Sequence, residues 1–350
     1  MVRIILISIA GVIAAFISFL IIMSVFFSSR VDTWLTVNQP VDANVLIVEG
    51  WTRAELVGEV ALKFSQGGYT TLITTGGPLD EVYNMAYDGM IRFDLDAAGA
   101  SWETGDTVTV SLWAFGEPAD GEYARYTIIH REDTIGRDYT SPHLEEYRHS
   151  YVVQDDPAGE IFVIYDNDFI TSDEDRNLHL WKIETGGVTI PVRSDYTRLI
   201  RRIRSVDIDR PLSQKTLAEE KAFQFMMAGV DSNLIVALEV PAVKRLRTFT
   251  DAVMVSEWFR GTGCIPDAVN LFSEGNHTRR SRLLYSYALP DEVKVGIVAA
   301  ELEPAYRRDS GFTDFDPGTA RELGAYIYTR VFFNPGRQYR RIVSGMDKGP

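Results

Sequence analysis

The feature that most constrains the fold is an interruption in the pattern of strands and helices. Residues 43–82 have the pattern of a strand, an amphipathic helix and a second strand, and this alternation returns over residues 196–335. Residues 84–193 contain instead short alternating runs punctuated by Gly, Asp and Pro, with no convincing amphipathic helix. Alternating strands and helices predict a parallel sheet, whereas consecutive short strands predict a sandwich. We therefore predict an α/β domain with a doubly wound, Rossmann-like, mostly parallel sheet, interrupted by an inserted all-β sandwich.

The N-terminus carries a run of 24 residues without a charge, residues 4–27. About 20 apolar residues are enough for a helix to span a bilayer, whereas the apolar part of a cleaved signal peptide is usually about 7–15 residues long. We therefore expect one uncleaved N-terminal transmembrane helix. The flanking charges say little about orientation, but the short N-terminus favours placing the rest of the chain outside the cytoplasmic membrane.

Charge and composition exclude several classes of function. The chain has 49 acidic and 35 basic residues, a net charge of −14 and no basic run, which argues against a nucleic-acid partner. Its single cysteine, Cys264, rules out an internal disulfide and a cysteine zinc cluster. The common phosphate-loop, dinucleotide and serine-hydrolase motifs are absent from the sequence, so it gives no support for those assignments.

Five acidic residues crowd residues 166–175, within the stretch YDNDFITSDEDRNLHLWKIETGG. Like charges this close repel one another unless a cation neutralises them or solvent screens them. Carboxylate oxygens are the ligands that Ca²⁺ prefers. An EF-hand loop is excluded, because its sixth position should be Gly and is Leu178, and because neither flank is helical. A calcium site and a solvated acidic loop both stay open at this point.

The stretch IFVIYDNDFITSDEDRNLHLWKIE resembles the C-terminal half of the calcium-dependent, xylan-binding carbohydrate-binding modules of families 36 and 60. In these β-sandwich modules a strand ends in Asn-Asp, an acidic loop follows, and Asp-Arg-Asn-Leu opens the next strand. The matching residues are Asn167, Asp168, Asp175, Arg176, Asn177 and Leu178. The resemblance implies a Ca²⁺ ion whose coordination is completed by vicinal hydroxyls of a polysaccharide. The ligands that we expect for such an ion are Asp168, Asp173 and Asp175, with Glu174 contributing a carbonyl or carboxylate oxygen.

Aromatic residues of the predicted sandwich offer faces on which a sugar ring can stack. Trp102, Trp113 and Tyr126 are candidates, although aromatic residues of a small sandwich more often belong to its core. His179 and Trp181 are two residues apart in an alternating run, so a strand there would place both on one face. For all five residues we favour the core interpretation over a role in sugar binding.

Residues 43–79 and 215–333 resemble the YdcF-like (ElyC, SanA and YdcF) family of α/β proteins. The segment ANVLIVEGWTRAELVGEVALKFSQGGYTTLITTGGPL is similar to the opening strand, arginine-bearing helix and Gly-Gly strand end of that family. The segments EEKAFQFMMAGVDSNLIVALEVPAVKRLRTFTDA and VNLFSEGNHTRRSRLLY are similar to its Glu-containing helix and its His-x-x-Arg helix. The resemblance implies a role in the bacterial envelope, tied to a phosphorylated lipid carrier or to peptidoglycan.

The carboxyl ends of the predicted parallel strands carry the candidate site, because open α/β sheets bind ligands at that edge. Glycines there let a backbone approach a ligand, and helix starts favour an anion. The candidate ligand-binding residues are Glu49, Gly76, Gly77, Glu239, Thr248 and Arg280. The candidate catalytic residues are Arg247, His277 and Arg279, with His277 as a general acid or base. Thr248 and Asp251 have the spacing of a capping box, which predicts a helix start at Thr248.

Each of these candidates has a simpler interpretation. Gly76-Gly77 can be a plain turn, the arginines near His277 can form an exposed basic helix face, and a lone histidine is more often structural. Their convergence on one sheet edge favours a site for phosphate, a carboxylate or a nucleotide-like group. Two functions stay open: envelope glycan or lipid-carrier metabolism, and a non-enzymatic envelope adaptor or scaffold. A third and minor possible function is binding of S-adenosylmethionine, which is associated with one branch of the family.

Overall fold

The computed structural model describes residues 30–154, 158–171, 173–203, 206–300 and 317–346. The predicted transmembrane helix, residues 4–27, lies outside the described residues. Within these ranges no helix is both long enough and apolar enough to cross a bilayer. The chain divides into two compact units, an α/β unit (Met1–Pro78 with Thr216–Pro350) and a sandwich unit (Leu79–Lys215).

Helices and strands alternate in the α/β unit, whereas strands alone follow one another in the sandwich unit. The strands are β1 (Val45–Glu49), β2 (Thr71–Gly76), β3 (Tyr83–Met85), β4 (Gly89–Asp94), β5 (Thr107–Gly116), β6 (Arg125–His130), β7 (Asp133–Tyr139), β8 (Glu145–Val152), β9 (Glu160–Tyr165), β10 (Phe169–Ile170), β11 (Asp175–Arg176), β12 (Leu178–Thr185), β13 (Val188–Pro191), β14 (Thr197–Ile203), β15 (Val206–Pro211), β16 (Ile235–Glu239), β17 (Ala268–Ser273) and β18 (Lys294–Ala299). The helices are α1 (Val57–Gln66), α2 (Leu217–Met227), α3 (Arg247–Thr262), α4 (Thr278–Ala288), α5 (Pro317–Val331) and α6 (Pro335–Met346).

The α/β unit is built on a five-stranded parallel sheet in the order β16-β2-β1-β17-β18. All five residues of β1 are buried, as expected for a strand that is covered on both faces. Apolar residues of α3 and α4 pack on one face, and those of α1 and α2 pack on the other. This confirms the predicted α/β fold. The chain moves outward from β1 to β2 and β16, then returns to β17, so the strand order reverses between β1 and β17.

The sandwich unit consists of antiparallel strands. One sheet has the order β13-β12-β5-β8, with β3 also paired to β12, and the other has the order β15-β14-β4-β9-β6-β7. Its core contains residues from both sheets, among them Phe93, Leu112, Tyr126 and Leu180. Since β14 pairs with β4, this unit continues to Lys215, whereas the sequence pattern places the end of the sandwich at residue 193. The segment 197–211 mixes charged and apolar residues, which hides two strands from a search for apolar runs.

Close packing at the carboxyl edge of the parallel sheet requires a glycine at position 76. A Cβ atom on Gly76 would lie 2.5 Å from Leu217 Cβ and 2.7 Å from Ala218 N, at the start of α2. Leu217 N in turn donates a hydrogen bond of 2.8 Å to Gly77 O. The close approach at Gly76 is therefore made by helix α2, where the sequence suggested a ligand.

Replacing Gly76 by alanine should destabilise the α/β unit by about 1–3 kcal/mol, because backbone atoms of α2 occupy the space of the new methyl group. Gly58 in α1 offers a matched control, since nothing lies within 4 Å of a Cβ built there. Gly58→Ala should raise stability by about 0.5–1 kcal/mol. Thermal unfolding of the full chain measures both, and equal midpoints for the two variants would contradict this packing.

Candidate functional site

The candidate site lies at the carboxyl edge of the parallel sheet, where the strand order reverses. Strand β1 ends at Glu49 and is followed by Trp51, and β17 ends at Ser273 and is followed by Glu274. These ends are neighbours because β1 and β17 pair directly. Ligands of open α/β sheets bind at such a reversal, so the topology agrees with the edge chosen from the sequence.

The loop after β1 is fixed by two buried or half-buried charges. Arg53 N and Nε donate hydrogen bonds of 2.9 and 2.6 Å to the two carboxylate oxygens of Glu274. Lys221 Nζ, from α2, donates to Thr52 O at 2.6 Å. Burial lowers the pKa of Lys221 to about 8, although nearby carboxylates oppose the change. These contacts fix the backbone of the loop that carries Trp51.

A cationic cleft of about 570 Å³ opens beside Trp51 and His277. Its cationic lining residues are Lys244, Arg245, Arg247, Arg280 and Arg321. No acidic residue of the described ranges lines this cleft. A concave surface with charges of one sign concentrates ligands of the opposite sign, so the cleft is suited to an anion.

Glu322 of helix α5 orients two of the predicted site residues. Its Oε2 lies 2.9 Å from His277 Nδ1, and Arg280 contacts it through both Nε and Nη2. Burial alone would raise the pKa of Glu322, but the hydrogen bonds of His277 and Arg280 outweigh it and lower the pKa below its usual value. Glu322 therefore stays ionised, and it fixes the imidazole ring and the guanidinium group. The ring of Trp51 meets the His277 ring edge-on at 5.6 Å.

Two buried carboxyl groups, of Glu49 and Asp251, lie next to the cleft. Glu49 is 0% and Asp251 is 5% exposed. Burial raises the pKa of Glu49 to about 7, against the opposing effects of Thr248 and Arg280. Burial and the neighbouring Glu49 raise the pKa of Asp251 well above its usual value, opposed by Arg247.

The carboxyl groups of Glu49 and Asp251 are close enough for one proton to lie between them. They are within hydrogen-bonding contact of each other. Neither oxygen of Glu49 has a hydrogen-bond donor of regular geometry in the described part of the chain, although Thr248 and Trp51 lie near enough to favour its charged form. Carboxylates only accept hydrogen bonds, so one proton between the two groups supplies the missing donor and removes the repulsion of two like charges.

Asp251 also reaches a second cavity, of about 350 Å³, that adjoins the cationic cleft. This smaller cavity is lined by Gly76 and Gly77 among others, and it shares Trp51, Lys244 and Arg247 with the cleft. The two cavities therefore meet at Trp51, Lys244 and Arg247. Asp251 lines only the smaller cavity, and His277 lines only the cleft.

A third cavity, a groove of about 970 Å³, continues from the cleft between the loop before α3 and helices α5 and α6. It shares Lys244, Arg245, Leu246 and Tyr328 with the cleft. Apolar residues contribute much of its lining: Pro241, Val243, Leu246, Tyr328 and Ile342. The cleft thus has one cationic end and one end with a large apolar surface.

The structure brings Arg247, Thr248, His277 and Arg280 together at the cleft, as the sequence predicted, with Glu49 buried behind them. Two other predicted residues lie elsewhere in the described structure. Glu239 is exposed at the end of the edge strand β16 and lines none of the three cavities.

Arg279 is also separate from the cleft. Its Nε donates to Trp34 O at 2.7 Å, and its guanidinium group stacks 4.2 Å from the centroid of the Trp34 ring. The predicted capping box is wrong as well. Helix α3 begins at Arg247, after Leu246 in a left-handed conformation with φ 62°, and no side chain caps it.

Several residues of the site were not found from the sequence. Trp51 and the Lys244-Arg245 pair follow predicted strand ends, so their position along the chain was an available signal. Asp251 was assigned to a helix cap, which concealed its contact with Glu49. Glu322 lies in a helix whose placement against α4 no local pattern reveals.

In the sandwich unit, the candidate calcium ligands do not all face one point. Burial, then the charges of Asp88 and Asp175, raises the pKa of Asp168. Asp168 Oδ1 is buried without a hydrogen-bond partner among the described residues. Glu174, in contrast, accepts a hydrogen bond of 2.8 Å from Asp120 N, and Asp173 is exposed. In the described ranges no three His, Cys, Asp or Glu residues are arranged to hold a metal ion.

Arg176 gives the acidic loop its shape. It is buried and donates hydrogen bonds to the carbonyl oxygens of Glu122, Asn167 and Ala119. Its guanidinium group also lies 5.5 Å from the centroid of the Phe169 ring. The Arg in the Asp-Arg-Asn-Leu sequence therefore has a structural role, and it places Asp175 at the loop surface.

The aromatic candidates of the sandwich unit divide into buried and half-buried groups. Trp102 and Tyr126 are buried core residues. Trp113 and Trp181 are half-buried, meet edge to face at 5.8 Å, and both contact Lys182 Nζ. His179 stacks on another aromatic ring of β5 at 4.3 Å. The outer face of the β5–β12 pair thus carries a row of partly accessible rings.

Comparison with known proteins gives no family assignment. No protein-family model matches the chain, and no curated protein matches it. A solved structure with some similarity is a family two carbohydrate esterase from Cellvibrio japonicus. It is 10% identical, with a TM-score of 0.21, over 76% of this chain and 81% of that chain. A likeness at this TM-score carries no argument about function, so the two family resemblances stay predictions.

The carboxyl pair predicts an unusual dependence of stability on pH. Glu49 ionises at about pH 4.5 when unfolded and at about pH 7 when folded. Between these values the folded state holds the extra proton, so raising the pH should lower the free energy of unfolding, by about 3 kcal/mol in total. In Glu49→Gln this decrease in the free energy of unfolding should be absent, so the variant should be more stable than the wild type at pH 8.

Thermal unfolding of the full chain at pH 5 and pH 8 measures this effect. Glu292→Gln is the control, because Glu292 is exposed before β18 at the other end of the sheet. If Glu49→Gln and the wild type show the same change in midpoint between the two pH values, Glu49 is not buried in a protonated form.

Proposed function

We propose that the α/β unit binds a phosphorylated lipid carrier. In this proposal residues 4–27 anchor the protein in the cytoplasmic membrane, and the rest of the chain acts outside that membrane in the metabolism of envelope glycans. The observation that carries this proposal is the continuity of the cationic cleft with the partly apolar groove. A ligand with a charged head and a long hydrocarbon chain matches both parts at once.

The cationic cleft supplies groups that suit a phosphate or diphosphate. Arginine binds phosphate through two parallel N–H donors, and it keeps its charge at any physiological pH. Arg247 interacts electrostatically with Asp251 and borders both the cleft and the smaller cavity, so it is placed to contact a ligand in either. Arg280 is oriented by Glu322, which holds its guanidinium group beside His277.

The groove supplies the apolar part of the recognition. Leu246, Tyr328 and Val243 line it next to the cationic end. Leu246 and Tyr328 are 37% and 55% exposed, so apolar surface is open to a ligand there. Burying one methylene group contributes about 0.8 kcal/mol, so a prenyl chain in this groove would add substantially to the affinity of the diphosphate.

For the sandwich unit we propose calcium-dependent binding of a polysaccharide of the xylan type. The unpartnered oxygen of Asp168 and its proximity to Asp88 and Asp175 support a cation at this loop. Asp173 is free to turn toward such an ion, whereas Glu174 would first have to leave Asp120. The half-buried rings of Trp113 and Trp181 offer a face for a sugar.

Binding of farnesyl diphosphate and of inorganic pyrophosphate to the full chain in detergent tests the lipid-carrier proposal. Arg247→Ala should weaken both ligands by about 10-fold or more, since it removes a charged hydrogen bond. Leu246→Asn should weaken only farnesyl diphosphate, because asparagine tolerates the left-handed backbone of this position but offers no apolar surface.

Lys294→Ala is the control for both variants, because Lys294 is exposed at the amino end of β18. If the wild type binds farnesyl diphosphate and pyrophosphate with equal affinity, the site recognises only the phosphate groups, and the lipid part of the proposal is refuted. Failure of both ligands to bind the wild type would refute the proposal as a whole.

The sandwich proposal is tested by calorimetric titration of Ca²⁺ into the full chain, with and without xylan. Asp168→Ala and Asp175→Ala should each abolish Ca²⁺ binding, and xylan should tighten it in the wild type. Asp106→Ala is the control, because Asp106 is an exposed carboxylate before β5. Ca²⁺ binding that survives in both variants, or that is absent from the wild type, would contradict the assignment.

A further inference from the structure

We propose that Asp251, positioned by Glu49, is the general base of a hydrolytic reaction that removes the terminal phosphate of the bound diphosphate, with His277 as the general acid. This inference rests on the proposed function, because it needs a diphosphate in the cationic cleft. It adds a reaction to that function and gives Asp251 a role.

The arrangement of the cavities supports this assignment of roles. In phosphoryl transfer the attacking oxygen and the leaving oxygen lie roughly in line on opposite sides of phosphorus. A phosphate held by Arg247 would lie where the two cavities meet. Asp251 lines the smaller cavity and not the cleft, whereas His277 lines the cleft and not the smaller cavity, so the two groups reach the phosphate from different cavities.

Only Asp251 of the carboxyl pair can touch a substrate. It lines the 350 Å³ cavity, whereas Glu49 is fully buried and lines none of the cavities. We therefore assign Asp251 as the catalytic residue and Glu49 as a positioning residue that shares its proton. The cavity has ample room for the attacking water, whose share of liquid volume is about 30 Å³.

The surroundings of the pair favour a single negative charge over two. Positive groups on α3, on α4 and in the turn before α4 stabilise one ionised carboxylate, while burial disfavours a second. The hydroxyl group of Tyr285 stays neutral, because burial raises its pKa well above the usual value. The groups that face the pair are Trp51, Arg247, Thr248, His277, Arg280 and Tyr285.

His277 has the geometry of a general acid. Glu322 contacts its Nδ1 at 2.9 Å, so Nε2 is the nitrogen that faces away from Glu322. A carboxylate that contacts one imidazole nitrogen fixes the orientation of the ring. The side chain is 44% exposed and lines the cleft, so it can reach a leaving oxygen there.

The step conserves atoms and charge. Water gives one proton to the carboxylate of Asp251 while its oxygen bonds to the terminal phosphorus. The bond between that phosphorus and the bridging oxygen breaks, and the lipid monophosphate leaves with a proton from Nε2 of His277. The products are inorganic phosphate and a lipid monophosphate, and the protons on Asp251 and His277 re-equilibrate through solvent.

The test measures phosphate release from farnesyl diphosphate by the full chain in detergent, beside binding of pyrophosphate to the same samples. Asp251→Asn and His277→Ala should lower kcat by about 100-fold or more. Both variants should bind pyrophosphate within about 3-fold of the wild type, because Arg247 and Arg280 remain. Asp267→Asn, an exposed aspartate before β17, is the matched control and should leave the rate unchanged.

The role of Glu49 is tested by the pH profile. In the wild type kcat should rise with pH around 7, as the carboxyl pair loses a proton. Glu49→Gln should shift this rise to lower pH, because the neutral amide no longer opposes ionisation of Asp251. A merely structural role would lower the rate at every pH and leave the profile in place.

The inference is overturned if the wild type and Asp251→Asn release phosphate at the same rate, or if neither releases any. The proposed function would still stand in that case, provided that the wild type binds pyrophosphate. Loss of Mg²⁺ binding in Asp251→Asn would also overturn the inference, because the pair would then hold a cation in place of a proton. Absence of pyrophosphate binding to the wild type would instead refute the proposed function itself.

Discussion

The contact between Glu49 and Asp251 is the interaction on which the rest of the site depends. Two acidic groups buried at one sheet edge can coexist only if a proton or positive charge lies near them. The protein offers both: the two groups are close enough for one proton to lie between them, and Arg247 and Arg280 lie close by. These arginines bring the positive charge that makes the neighbouring cleft suited to an anion. The same two arginines therefore stabilise the buried carboxyl pair and make the neighbouring cleft cationic.

The position of the pair follows from the topology of the sheet. Glu49 ends the central strand β1, next to β17, and helix α3 places Asp251 against it. The close approach of α2 at Gly76 completes the edge, since any side chain there would push the helix away. Three cavities then meet around the loop that precedes α3. A ligand with a charged head and an apolar tail fits this sequence of surfaces.

The alternation of strands and helices was enough to predict the parallel sheet, because buried parallel strands such as β1 are continuous apolar runs. It was not enough for β14 and β15, which carry many charges and are recognised only by the pairing of β14 with β4 and of β15 with β14. Arg247, His277 and Arg280 were found because strand ends and helix starts can be read from local sequence. Asp251 and Glu322 depend on how helices pack, and Arg279 on a contact with Trp34 far along the chain.

Proton uptake during ligand binding tests the central claim that the carboxyl pair and the cationic cleft form one site. A diphosphate near the pair adds negative charge and should raise its affinity for a proton. Calorimetric titration of pyrophosphate into the full chain at pH 7.5, in two buffers of different ionisation heat, measures this uptake. The wild type should take up more protons than Glu49→Gln, with similar affinity. If the wild type and Glu49→Gln take up the same number of protons, the ligand in the cleft does not affect the carboxyl pair, and the account is contradicted.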